Sequence, residues 1–328
     1  MTRRFKRSLH RSSVLPALTA AVIALALLQS CSDRVSQQDA PDPHANGLRY
    51  FGYVLVDVGF DDPFDGVAKT NYVDEVSSFT NMADLLVGDP TDDISARLDY
   101  MERNQLGAVL HVSDIFFQSA GSGGPSGNRQ DLRGDYASRW NTFVATNNLT
   151  SQTTKILALY VGEEPTWNDI SYLELKSATD LIKSTMPNTP VLIVEAYPSI
   201  DGLQIPDSVD WVGFDHYFIK DPENSSVFLD ELARLKAKRS LRAQKIVLVL
   251  DAHYIASAHG AAGISEADMK AVATSYYDLA SSDPEVIALF GYVWPGGFDD
   301  PSSRGARELP AEVIDEHRRI GKAITGKP

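Results

Sequence analysis

The chain of 328 residues carries 44 acidic against 30 basic side chains, a formal net charge of −14. Phosphate backbones and anionic lipid surfaces need positive patches, so this balance argues against nucleic acid as a partner and leaves a membrane reachable only through an anchor. Hydrophobic residues make up 43% and Cys31 is the only cysteine, so stability has to come from a packed core and not from internal disulfides.

In chain order, Arg3, Arg4, Lys6, Arg7 and Arg11 precede the apolar run Val14 to Leu28, the layout of a secretory signal peptide. The run ends in Leu28-Gln29-Ser30-Cys31, which looks like the lipobox of bacterial lipoproteins. Cys31 is then the lipidated first residue of the mature chain. Ser32 behind it favours, by resemblance to Gram-negative lipoproteins, the outer membrane, with the domain facing the periplasm or the surface. The competing reading is an ordinary secreted protein with an incidental thiol. The residues up to Gly47 are polar, aperiodic and proline-containing, as a tether is. The expected organisation is a signal peptide over 1–30, the lipidated cysteine and tether over 31–47, and one domain over 48–328.

From Leu48 onward, short apolar runs alternate with amphipathic stretches. Eight strands are predicted: Tyr50–Val58, Phe79–Val87, Ala108–Val112, Ile156–Val161, Val191–Val194, Trp211–Phe214, Ile246–Leu250 and Ile287–Val293. Between them Ile94, Leu98 and Met101 mark a helix capped at Thr91 and closed by Gly107; Tyr136 to Val144, Ile170 to Ile182, Val227 to Leu235, Met269 to Leu279 and Val313 to Ile324 mark others. The crossover after the fifth strand is short and proline-bearing, so a helix is expected to be missing there. Eight such units over about 250 residues predict a (β/α)8 TIM barrel in preference to an open doubly wound sheet. Two connections exceed what packing needs, Gly59 to Lys69 and Asp114 to Arg133. The second holds Gly121 to Asn128 (GSGGPSGN), which lacks the lysine of a phosphate loop and reads as a lid or linker.

Chemistry collects at the carboxyl ends of barrel strands. The fourth predicted strand runs through Gly162 into Glu163, Glu164, Pro165 and Trp167. The second offers Asn81; the third, His111 and Asp114; the fifth, Glu195 and Tyr197; the sixth, Asp215, His216 and Tyr217; the seventh, Asp251, His253 and Tyr254; the eighth, Trp294. Taken singly, each is a cap, an exposed carboxylate or a core histidine. Together they form an acidic and aromatic ring, as at a sugar site, where carboxylates do acid, base or nucleophile work and flat rings stack on pyranoses.

The sequence of strand ends, GEEP, DWVGFDHYF, VLDAHY and GYVWPGG, resembles the glycoside-hydrolase TIM barrels, and within them glycosidase-like lipoproteins, over nearly all of the domain. The resemblance implies that Glu164, followed by Pro165, is the acid/base glutamate of the fourth strand. The large retaining clan places a nucleophilic glutamate on the seventh strand, where this chain has Asp251; other sugar-cleaving barrels use the sixth, where it has Asp215. The resemblance therefore implies hydrolysis of an oligo- or polysaccharide, with Glu164 as general acid, Asp215 or Asp251 as ionised partner, Tyr197, Tyr217 and Trp294 as platform, and no cofactor. A catalytically inactive carbohydrate-binding barrel is the first alternative. A metal-dependent hydrolase using His111, Asp215, His216, Asp251 and His253 is the second, although the first strand lacks the His-x-His that such enzymes carry.

Overall fold

The computed structural model describes residues 47–328; the predicted signal peptide, Cys31 and nearly all of the predicted tether lie outside them. Among the described residues ten strands form: β1 (Tyr50–Asp57), β2 (Met82–Leu86), β3 (Gly107–His111), β4 (Phe117–Gly123), β5 (Gly127–Leu132), β6 (Ile156–Glu163), β7 (Val191–Ala196), β8 (Trp211–Asp215), β9 (Lys245–Asp251) and β10 (Val286–Tyr292). Eight of them close into a parallel barrel in the order β1-β2-β3-β6-β7-β8-β9-β10, while β4 and β5 pair only with each other. The (β/α)8 barrel expected from the sequence is the fold observed.

The helices are α1 (Val73–Val76), α2 (Ser95–Arg103), α3 (Ser113–Phe116), α4 (Tyr136–Thr146), α5 (Tyr172–Thr185), α6 (Ser226–Ala237), α7 (Ala256–Ala261), α8 (Met269–Ser282) and α9 (Ala311–Thr325). After β7 there is only a short 3-10 segment, Tyr197–Gly202, where the proline-bearing crossover left no room for a helix. Strands buried on both faces explain the near-continuous apolar runs. One parity, including Val109, Ala158, Leu192, Trp211, Val247 and Ala288, fills the barrel; the other, including Val191, Ile193, Leu248 and Leu289, packs beneath the helices. Each fully buried aliphatic side chain contributes about 1.5–3 kcal/mol.

Four local expectations change. β2 begins at Met82, not Phe79, because Asn81 extends the pairing with its side chain: its Oδ1 accepts from Phe51 N at 2.9 Å and its Nδ2 donates to the Arg49 carbonyl at 2.8 Å. Asn81 thus sits at the amino end of the barrel, remote from the rim where ligands bind, and is no substrate residue. Gly107 opens β3 and does not end α2; a Cβ there would meet Leu157 Cβ at 2.9 Å. Thr91 does not cap α2, since its hydroxyl is held by Asp89 and the helix starts at Ser95. The glycine-rich connection expected as lid or linker is the hairpin β4/β5, turning at Gly124 to Gly127.

Candidate functional site

Inward parity carries side chains to the carboxyl rim one layer above the apolar interior. On β8, Trp211 and Gly213 lead to Asp215; on β10, Ala288 and Phe290 lead to Tyr292; on β3, Val109 leads to His111; on β2, Met82 leads to Asp84. On β6 the register with β7 slips between Tyr160 and Gly162, and it is Glu163 that lines the interior.

Two cavities open at this rim. The outer one, about 450 Å³, is lined by Glu164, Trp167, Ala196, Tyr197, Pro198, Asp215, His216, Tyr217, Phe218 and Ile219. The inner one, about 280 Å³, is lined by Val54, Leu55, His111, Glu163, Glu164, Asp215, Tyr217, Tyr292, Phe298 and Asp299. Glu164, Asp215 and Tyr217 belong to both, so the two carboxylates and one ring stand where the cavities meet.

The loop after β6 is built to present Glu164. Its amide donates to the Val194 carbonyl at 2.8 Å, and Asn168 N and Nδ2 close the turn onto the carbonyls of Glu164 and Glu163. Glu195, fully buried behind the loop, accepts from the amides of Thr166 at 2.8 Å and Trp167 at 3.2 Å. Burial outweighs these bonds and pushes the Glu195 carboxyl up to about 7. Its role is to hold the loop, not to touch a ligand. The hairpin adds a second brace, Ser126 N to the Trp167 carbonyl and Gln130 N to the Asn168 carbonyl, both at 2.9 Å.

The electrostatics are those of carboxylates crowded with little compensation. Burial, then repulsion from Glu164 and Asp215, push Glu163 well above the usual range. Glu163 touches cavity space yet has protein on every side, so solvent reaches it without solvating it fully. Asp215, 5% exposed, is likewise raised by burial and by Glu164, and Glu164 is raised mainly by burial. Asp215 Oδ1 has no hydrogen-bond partner and Oδ2 has only a long contact, 3.4 Å, from the Tyr217 hydroxyl. A proton retained between Glu164 and Asp215 relieves both problems, and the two titrate as a unit.

Aromatic faces flank the acids. Tyr197, 41% exposed, lies flat on the His216 ring at 3.7 Å between centroids, and His216 is fixed by Glu231 Oε2 at 2.6 Å from its Nδ1. Tyr217 stacks on Tyr292 at 5.4 Å. Trp167 borders the outer cavity and Phe298 the inner. Leu55, Glu164 and Phe218, all lining the cavities, have φ of +60°, +45° and +64°. Each such non-glycine conformation costs about 1–2 kcal/mol, strain of the kind that concentrates at functional sites.

Of the residues expected from the sequence, His111, Glu163, Glu164, Trp167, Tyr197, Asp215, His216 and Tyr217 therefore share one site. Besides Asn81 and Glu195, five others do not line it. Asp251, 1% exposed, is sealed behind Phe218, whose amide donates to its Oδ2 at 2.9 Å, and is approached by His259 Nε2 at 3.2 Å. Burial pushes its carboxyl up, but the bonds and charge of His253 and His259 prevail and hold it well below the usual range. His253 Nδ1 stands 3.2 Å from Asp251 Oδ1 without hydrogen-bond alignment, so we regard His259 as the firmer partner. The His253 ring meets Tyr217 and Tyr292 edge-on, supporting them from behind. Tyr254 pairs its backbone with Arg304 and its hydroxyl reaches the Ile264 carbonyl. Asp114 is exposed at the start of α3, with its carbonyl held by Arg133 and Arg139. Trp294, expected as a sugar platform, is instead a core residue, 4% exposed, packed on Tyr53 and Phe79 with its Nε1 donating to Glu75. Tyr292, two residues earlier and still within β10, takes the platform position.

Asp84, Tyr292, Phe298 and Asp299 were not foreseen. An acid inside the apolar second strand and the parity of β10 were readable signals; the two loop residues had none. Among the described residues no group of three or more His, Cys, Asp or Glu side chains is arranged to hold a metal ion.

No protein-family model and no curated protein matches the sequence. Solved structures do match in fold. Xylanase 10B from Thermotoga maritima superposes with a TM-score of 0.52 at 12% identity, over 84% of this chain and 96% of that one. The fold that they share with this chain is the TIM barrel. A GH113 β-mannanase from Alicyclobacillus acidocaldarius gives 0.51 at 12% identity, over 86% of this chain and all of that one. Gas2p of Saccharomyces cerevisiae, solved with laminaritetraose and laminaripentaose, gives 0.55 at 11%, over 84% and 64% of the respective chains.

Proposed function

We propose that this barrel hydrolyses a glycosidic bond of an oligo- or polysaccharide. The observation that carries the reading is the junction of the two cavities, where Glu164 and Asp215 converge with Tyr217 and no lysine or arginine lines either side. A sugar ring in the inner cavity and the next in the outer would place the bond between them beside both carboxyls.

Glycosidic oxygens leave poorly as alkoxides, so the first need is a proton. Burial and mutual repulsion favour a proton held by the Glu164–Asp215 unit. Glu164, on the loop and nearer solvent, delivers it to the leaving oxygen. Asp215, deeper in the barrel, is left ionised, stabilises positive charge developing at the ring and takes the proton of the water that adds to the anomeric carbon. Trp167 and Tyr197 stack on the sugar in the outer cavity, and Tyr217 with Tyr292 on that in the inner. The xylanase and mannanase likenesses support this reading at the level of fold.

The test is turnover by the purified protein on xylan, mannan, β-glucans and amino polysaccharides, followed by reducing-end release. Cleavage of any one supports the reading. Binding to one without cleavage would assign the protein to carbohydrate capture instead.

A further inference from the structure

The proposed reading leaves the sugar open, and the inner cavity narrows it. Glu163, Glu164, Asp215 and Asp299 line about 280 Å³ of space, and Asp84, fully buried behind the lining, has its Oδ2 3.9 Å from His111 Nδ1. His111 is the single cationisable side chain on this lining. Asp299 receives the Tyr292 hydroxyl, but the buried Oδ1 of Asp215, and that of Asp84 behind, accept from no group of the protein. A neutral sugar brings hydroxyl donors but leaves these crowded carboxyls no counter-charge that would let them ionise. A ligand carrying a cation supplies both.

We propose that the inner cavity binds the ammonium group of an amino sugar, so that the protein acts on glycans containing unacetylated hexosamine residues. The inference rests on the carbohydrate reading and deepens it. Linear polyamines would satisfy the charge but not the stacked pair Tyr217 and Tyr292, nor Phe298 at the mouth, which offer faces for a ring. An acetylated amine loses the charge and gains bulk, both unfavourable in so small and acidic a space. A cation entering the cavity also favours ionised Glu163, so binding should release protons.

The experiment is titration calorimetry of the full chain at pH 6 and low temperature. The probes are the β-1,4-linked glucosamine trisaccharide, its N-acetylated form, the mannose and xylose trisaccharides, and spermidine. The glucosamine trisaccharide should bind at least about tenfold tighter than every other probe, and its heat should vary with the ionisation enthalpy of the buffer as protons are released. Glu163→Gln, and independently Asp299→Asn, should shrink that preference to about threefold or less. Equal or tighter binding of an acetylated or neutral trisaccharide would overturn the proposal while leaving the carbohydrate reading standing. Equal binding of spermidine, or a preference intact in both variants, would overturn it as well. If no saccharide binds, both readings fall.

Discussion

Asp215 and Asp251 end neighbouring strands and follow similar apolar runs, yet their surroundings give them opposite characters. Asp215 faces the cavities beside another carboxylate and is pushed up; Asp251 faces the Phe218 amide and His259 and is held down. His259 Nε2 stands 3.2 Å from both oxygens of Asp251, and its Nδ1 is held at the Ile255 backbone, 2.9 Å from the amide nitrogen and 3.2 Å from the carbonyl. Asp251→Asn should therefore cost about 2–3 kcal/mol, the worth of hydrogen bonds to a buried charged group. A depressed folded-state pKa contributes stability above the unfolded value and loses it as pH falls. The gap between wild type and variant should be full at pH 6 and narrow below about pH 4, where unfolded aspartate takes up its proton. Denaturant unfolding across that range checks this; lost activity without lost stability would return Asp251 to the reaction. Glu163 has the opposite sign. Its raised pKa means stability present at low pH and lost as pH rises, so Glu163→Gln should melt higher than wild type at pH 8 and nearly equal to it at pH 4. A lower melting temperature at pH 8 would contradict the crowding. The sequence showed both aspartates at strand ends, but the amide and histidine that separate them arrive from other turns of the chain.

At the scale of elements, the loop after β6 and the hairpin that braces it position Glu164. The loop's proline, glycine and paired acids were legible, because they interrupt a buried apolar run. The hairpin was not, because β4 and β5 are exposed on most positions and show no apolar alternation; tertiary bonds to Trp167 and Asn168 give it a place. Gly124 makes that junction. Its φ is +65°, and a Cβ there would lie 2.8 Å from Asp169 Cβ and 3.1 Å from the Asn128 carbonyl. Gly124→Val should lift the hairpin from the loop, costing about 1–2 kcal/mol locally. Because the hairpin is peripheral to the core, KM should rise several-fold while the melting temperature moves by only a few degrees. Unchanged KM would show that the hairpin does not support the site.

For the whole molecule, the barrel was legible because two-face burial writes eight apolar runs into the chain, and closure follows from their count. Trp294 was misplaced because the ladder was read past its end: β10 stops at Tyr292, the last of its inward row, and the chain beyond it carries Trp294 among Tyr53 and Phe79. We propose that the domain is held at a bacterial membrane through lipidated Cys31. Cys31→Ala should then move the protein from the membrane to the soluble fraction, since several acyl chains hold firmly where none holds at all; a variant still fractionating with membrane would contradict it. The central claim, that Glu164 delivers a proton to a glycosidic oxygen, is tested most directly by comparing Glu164→Gln with wild type on two substrates of the same sugar. One carries a natural sugar leaving group and the other a nitrophenyl group that departs without help. Turnover of the first should fall by about 10²-fold or more and that of the second far less. Equal losses on both substrates would contradict the account.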